Sequence, residues 1–225
     1  MNHARYQLPD TRYHSGFALI EMLVTTSIIA IVSSIVLFSF PTFASKIILE
    51  NLTHEIALVV RQAQVYGIGI KRQAGTENVF PGYGAHFEVE NPYVPEDAGS
   101  PNKRVVFFAD ANGNDTYDFV DGNGDGLPDP EEGETLEVFI IERGNYISDL
   151  CYATTGPFVC GGTTKIDITF KRPDPNASMT AYPSGGSLSS VRIVVSSPKG
   201  STVGDRFIEV WASGQIAVTT PDEEL

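Results

Sequence analysis

The chain has 225 residues, 42% of them hydrophobic, and a formal charge of −13 from 28 acidic and 15 basic side chains. Its length holds one ordinary domain plus an appendage, with enough apolar content for a real core. The acidic balance argues against nonspecific binding to nucleic acid or to an anionic membrane surface, which both need basic patches. It suits an extracytoplasmic surface, or one that collects divalent cations.

The first segment, residues 1–16, sets Arg5 and Arg12 against Asp10. An apolar run from Phe17 to Phe40 follows, with Glu21 as its one charged residue and Pro41 at its end. As a helix this run spans about 36 Å, enough for a hydrocarbon core of about 30 Å. The basic flank predicts a cytoplasmic amino terminus with the rest of the chain outside. A secretory signal peptide would have a shorter apolar core before its cleavage site, and "PTFASK" comes too late for one. A plain signal anchor accounts for length and orientation but leaves Glu21 unexplained. An intramembrane carboxylate is costly and calls for a partner.

The stretch "GFALIEMLV", residues 16–24, closely resembles the prepilin signature of type IV pilins and type II secretion pseudopilins. The resemblance implies a leader of residues 1–16, cut by a prepilin peptidase between Gly16 and Phe17, and methylation of the new amino terminus at Phe17. It further implies that Glu21 pairs with the terminal ammonium of a neighbouring subunit as helices assemble into a filament. A buried carboxylate is tolerable when so paired. Two departures stand out: Ala18 sits where threonine is commonest, and the leader is longer than that of many pilins.

Residues 42–67 continue as an amphipathic helix. Ile48, Leu52, Ile56, Val60 and Ala63 form its apolar stripe, while Glu50, Asn51, His54, Glu55, Arg61 and Gln64 face elsewhere. Pro41 is expected to kink or loosen the rod, and Gly67 to end it as a C′ glycine. Residues 68–225 form a β-rich head. Strand patterns occur at "YGAHFEVE", "RVVFFAD", "TLEVFII", "KIDITFKR", "SVRIVVSS" and "RFIEVWASGQIAVTT", the last with a tight hairpin at Ser213-Gly214. "RPDPNAS" and "YPSGG" read as loops. The predicted fold class is α+β: a long helix, transmembrane and then amphipathic, packed on an antiparallel sheet. This layout resembles the pilin fold. "RVVFFADANGNDTYD…GETLEVF" is similar to the strand–loop–strand of GspH/FimT-type minor pseudopilins.

The acidic loop, residues 110–134, is the one constellation that carries chemistry. From Asp121 it reads D-x-N-x-D-G-x-x-x-x-x-E, the full pattern of a twelve-position calcium loop. Its candidate ligands are Asp121, Asn123, Asp125, the Leu127 backbone carbonyl, Asp129 (directly or through water) and Glu132, with Gly126 at the turn. Ca²⁺ takes six to eight hard oxygens, and alternate residues of a tightly turning loop can point inward to give them. Upstream, Asp110, Asn112, Asn114 and Asp118 repeat positions one, three, five and nine. Asp115 replaces the glycine there, and Asp121 falls at position twelve. This half-site is weaker: it could share a ligand, hold a second ion, or be a turn. The plainer reading of both is that Asn, Asp and Gly suit left-handed turns, which leaves the twelfth-position glutamate unexplained. Pro128 and Pro130 interrupt and strand patterns lie on both sides, so no flanking helices are expected and the ion would be a structural staple with weak affinity, a Kd of about 10⁻⁴–10⁻³ M.

Cys151 and Cys160 are the two cysteines, in "CYATTGPFVC". In oxidising surroundings they predict a disulfide worth about 2–3 kcal/mol by loop closure; in the cytosol they would be reduced thiols. No G-x-S-x-G elbow, P-loop, H-E-x-x-H or paired C-x-x-C occurs, so no enzyme is expected. His86 reads as a half-exposed sheet residue and Trp211 as core. Lys71 and Arg72 form the head's one basic spot, read as a solvated strand end. The expected function is that of a filament subunit, a minor pilin or pseudopilin, held first in the membrane and then in a periplasmic or cell-surface filament. Its partners would be the peptidase, other pilin subunits and the membrane, with no nucleic acid favoured. The rival readings are a pilus-tip adhesin, a DNA-uptake minor pilin, and an unprocessed membrane-anchored calcium-binding domain.

Overall fold

The computed structural model describes residues 17–69, 80–89, 100–130, 132–183 and 186–221. The expected leader, with Gly16, and the basic pair Lys71 and Arg72 lie outside the described residues. One helix, α1 (Leu19–Ile68), is followed by nine strands in two antiparallel sheets. The contacts divide the chain after Pro41 into two compact units. The fold is thus α+β, with two sheets where the sequence suggested one.

In the first unit the helix shows apolar side chains to every side. Phe17, Leu19, Ile28, Val32, Ile35 and Phe38 are all exposed. Thr26, Ser27 and Ser34 turn their hydroxyls back onto carbonyls three or four residues earlier, so the helix spends few polar groups on its surroundings. The helix is long and apolar enough to cross a membrane, by length and composition. The helix continues through Pro41 without a break.

The second unit is the head. The strands are β1 (Gly82–Glu88), β2 (Arg104–Asp110), β3 (Thr135–Ile140), β4 (Tyr146–Ala153), β5 (Lys165–Phe170), β6 (Ala177–Tyr182), β7 (Ser190–Ser196), β8 (Arg206–Trp211) and β9 (Ile216–Thr219). The larger sheet runs β3-β2-β1-β5-β6 and the smaller β4-β7-β8-β9. Strands β4 and β6 escaped the sequence reading. In β4 the Cys151 half of the presumed loop is ladder, paired with Arg192 on β7. In β6 the small and polar residues of "ASMTAY" hide a buried alternation of Ala177, Met179 and Ala181.

Side chains alternate between faces along a strand, and here the alternation sorts chemistry. One face of the larger sheet presents Tyr83, Ala85, Phe87, Val105, Phe107 and Ala109 to the core. The helix meets that core with Leu49, Leu52, Ile56, Val60 and Ala63, so the stripe opens at Leu49 where Ile48 was expected, and Ile48 is half-buried. Gly67 is helical and one residue short of the end. Its need for glycine is close approach: a Cβ there would lie 2.2 Å from the Phe170 carbonyl oxygen. Gln64, expected to face away, donates from Nε2 to the Gly214 carbonyl oxygen at 2.8 Å. Trp211 is half-buried, at the base of the β8–β9 hairpin.

Candidate functional site

Two places bear on function: the start of α1 and the covered outer face of the larger sheet. At the start of α1, Phe17 precedes the helix and Glu21 lies in its first turn, its backbone N–H bonded to the Ala18 carbonyl at 3.0 Å. A carboxylate is favoured there by the positive end of the helix dipole. Glu21 is exposed, and among the described residues no cation lies within ion-pair distance of it.

The other face of the larger sheet carries Arg104, Val106, Phe108 and Asp110 on β2, His86 and Glu88 on β1, and Asp167 on β5. Every residue of β2 is buried, because the acidic loop lies over the face the core does not cover. Tyr117 holds it down: its hydroxyl is 2.6 Å from Thr135 Oγ1 and its ring is 4.8 Å from that of His86. Gly84 leaves room for the Phe108 ring, which a Cβ would meet at 2.5 Å.

Within the loop, the two acidic repeats fold alike. Asp110 accepts N–H bonds from Gly113, Asn114 and Asp115 at 2.7–3.1 Å. Asp121 accepts them from Gly124 at 2.6 Å and Gly126 at 3.0 Å. The sixth residue is left-handed in both, Asp115 at φ 64° and Gly126 at φ 76°. Asp118 accepts from the amides of Asn112 and Asn114, as Asp129 does from Asn123 at 2.7 Å. Glu132 Oε2 closes the second repeat onto the Gly122 N–H at 2.9 Å.

The first repeat is closed differently from the expected use of Asp121. Glu134 takes the Ala111 N–H at 2.9 Å and the Asp118 N–H at 3.0 Å. Asp121 instead serves its own repeat. Glu134 lies too far along the chain for a twelve-residue window to reveal it. Burial raises the Glu134 carboxyl above its usual range, against the pull of those two N–H groups, and the charges of Asp118 and Asp110 add to the rise. A cation also reaches this repeat. Lys171 Nζ lies 2.8 Å from Asp110 Oδ2, contacts Asp115 Oδ1 and donates to the Gly113 carbonyl at 3.3 Å. Burial opposes the Lys171 charge, but Asp110 and then Asp115 outweigh it and raise its pKa.

For calcium, the second repeat offers the right donors in the right order, on a backbone already wound around Asp121. Its carboxylates stand apart from one another. Among the described residues, the only three His, Cys, Asp or Glu side chains with ligand atoms within 4.8 Å of one another are Asp149, Cys151 and Cys160. The two sulfurs there form a disulfide, which leaves no thiolate for a metal. The Asp129 carboxyl is pushed up by desolvation and by the charges of Asp125, Glu132 and Asp121. The repeat thus carries negative charge that no described residue neutralises.

His86 departs from expectation. It is buried, with Nδ1 2.7 Å from Asp167 Oδ1 and Nε2 3.8 Å from Glu88 Oε2. Burial alone would lower its pKa, but Asp167 and then Glu88 outweigh it and raise the group to about 9. A lone histidine in a strand gives no hint of this. The signal lay in the register, which sets His86 opposite Asp167.

The family model of the prokaryotic N-terminal methylation motif matches residues 11–37. No curated protein and no solved structure matches the chain. The motif covers the expected cleavage point between Gly16 and Phe17, Glu21 and most of the apolar first part of α1. It supports a type IV pilin-like subunit that is processed at its amino terminus and anchored in a membrane by this helix.

Proposed function

We propose that the protein is a minor pilin or pseudopilin of a type IV pilus-like or type II secretion filament, with a head of the GspH/FimT kind. The observation that carries this reading is the methylation motif on a helix whose first turn holds Glu21 with no partner among the described residues. A prepilin peptidase would cut between Gly16 and Phe17 and the Phe17 amino group would be methylated. Glu21 would then take the ammonium of a neighbouring subunit, pairing a charge that is otherwise costly in lipid. Assembly would fix the axial register of helices whose apolar sides are otherwise left to lipid. Before assembly the subunit would wait in the membrane, amino terminus in the cytoplasm and head outside.

In the head, one calcium ion would be held by Asp121, Asn123, Asp125, the Leu127 carbonyl, Asp129 and Glu132. It would supply the positive charge that this repeat lacks and act as a structural staple. The first repeat, with Asp110, Asn112, Asn114 and Asp118, would need no ion because Lys171 supplies an ammonium.

The test is the intact mass of the chain expressed with and without a prepilin peptidase. Loss of residues 1–16 with one added methyl group is expected. An unprocessed chain overturns the filament reading and leaves a membrane-anchored head.

A further inference from the structure

Beneath the acidic loop, the outer face of the larger sheet encloses a cavity of about 100 Å³. Its charged lining comes from three strands: Arg104 on β2, His86 and Glu88 on β1, Lys165 and Asp167 on β5. Four of these five are paired. His86 bridges Asp167 and Glu88 through its two ring nitrogens, and Lys165 Nζ lies 3.0 Å from Glu88 Oε1.

Arg104 is the exception. It is 9% exposed. Among the described residues no carboxylate lies within 4.0 Å of its guanidinium, and it donates no hydrogen bond to any of them. A guanidinium has five N–H donors and cannot shed its charge; burial opposes the Arg104 charge, and Glu88 and then Tyr117, which favour it, do not offset that cost.

The charge count points the same way. His86 sits between two carboxylates, with Nδ1 2.7 Å from Asp167 and Nε2 3.8 Å from Glu88, an arrangement that favours the charged ring. Among the side chains that line the cavity, Arg104, Lys165 and His86 then face Glu88 and Asp167, an excess of one positive charge, with Glu134 behind Tyr117. The remaining wall is mostly apolar or aromatic, with Val106, Tyr117 and Phe119, so a charge inside is weakly screened. The planar fork of arginine matches two oxygens of a carboxylate or phosphate. The volume suits an ion of that size and excludes a nucleotide or a peptide. Lys165, with 43% of its side chain exposed, marks the mouth.

We propose that this cavity binds a small oxyanion of single net negative charge, a carboxylate or phosphate, held by the Arg104 guanidinium with Lys165 at the entrance. The anion completes the charge balance of the covered face and ties β2 to the loop above it.

The test uses the full chain in detergent micelles, with chelator present and ionic strength held constant with chloride. Sodium acetate and sodium phosphate are titrated separately to about 50 mM while the melting temperature is followed. A saturable rise of about 2–4 °C with at least one anion is expected. The response to each tells a carboxylate ligand from a phosphate. Arg104→Gln should abolish the rise, and the exposed neighbour Lys103→Gln should keep it. No saturable rise with either anion, or an equal rise in Arg104→Gln, overturns the proposal. Should Arg104→Gln not fold, line broadening of ¹³C-acetate and of ³¹P-phosphate by the wild-type chain decides. Broadening saturable by unlabelled anion supports the site, and its absence with both anions refutes it.

Discussion

Residues 110–115 and 121–126 read D-x-N-G-N-D and D-x-N-G-D-G, and they wind their backbones the same way around the first aspartate. They differ in what neutralises that aspartate. Asp110 is buried and carries the Lys171 ammonium, delivered from just beyond the end of β5. Asp121 is exposed, and among the described residues no basic side chain reaches the second repeat's carboxylates. A local motif therefore sets the winding, and a distant residue decides whether the motif is complete. One repeat is stapled by a tethered cation. The other keeps an unneutralised charge that a mobile cation can answer.

The largest way to break this comparison is Lys171→Met. It leaves Asp110 as a buried carboxylate without its ammonium, and the loss of one partner in such a pair is strongly destabilising. Lys171 is partly exposed, which discounts the effect to about 3 kcal/mol. Urea unfolding followed by the single tryptophan, Trp211, would measure it. A loss under about 1 kcal/mol would remove Lys171 as the staple of the first repeat. Calcium sharpens the result: if it stabilises Lys171→Met more than the wild type, the first repeat accepts an ion once its own cation is gone.

The next effect separates the loop from the sheet beneath it. His86 is held at about 9, above the ordinary 6.5, by Asp167 and Glu88 against the cost of burial. The folded state therefore binds the proton more tightly than the unfolded chain. The stabilisation is complete below pH 6.5 and is lost as pH rises through 9. The fall over that window is about 3 kcal/mol at most. The neighbouring groups keep their charge state across it: burial raises Tyr117 above 10, and Glu88 is lowered from 4.5 because His86 and Lys165 outweigh its burial. Unfolding free energies at half-unit steps from pH 6 to 9.5 should show the slope, and His86→Gln should flatten it. A wild-type profile already flat there would mean that His86 is neutral.

Much of this was legible in advance, for local reasons. The helix, its apolar first half and seven of the nine strands announce themselves by periodicity, as does the second repeat by spacing. What stayed hidden is non-local. Glu134 closes a repeat that begins at Asp110, and only the β2–β3 pairing brings the two together. His86 becomes an ion because β5 lies beside β1. Lys171 looks like any solvated strand end until the sheet sets it against Asp110. Strand β6 was missed because serine and alanine carry little strand preference, and β4 because Ser148 and Asp149 interrupt its alternation at a bulge; burial against neighbours decided the state of both.

The proposed calcium ion should have a smaller effect than either charge pair. If calcium binds at 10 mM with a Kd of about 10⁻⁴–10⁻³ M, the folded chain would gain about 1.4–2.7 kcal/mol, a rise of a few degrees in melting temperature. The comparison predicts where the response resides. Glu132→Gln removes the closing carboxylate of the second repeat and should abolish the rise. Asn112→Ala, in the first repeat, should leave it intact. A melt identical in chelator and in calcium would sink the staple. Equal loss in both variants would mean that the two repeats share one ion.

The smallest effect tests whether the winding precedes the ion. Gly126 stands at φ 76°, where an L side chain is disfavoured, and Asp115 holds the matching place at φ 64°. Aspartate tolerates that region better than alanine because its short carboxylate can bond locally. Gly126→Ala should therefore cost about 1 kcal/mol in chelator. If the left-handed residue serves only to seat calcium, the cost should be absent without the ion and appear on adding it. If Asp121 winds the backbone by itself, through the N–H groups of Gly124 and Gly126, the cost is the same with and without calcium. The hydrogen bonds around Asp121 favour the second outcome, since they match those around Asp110, whose carboxylate meets the Lys171 ammonium.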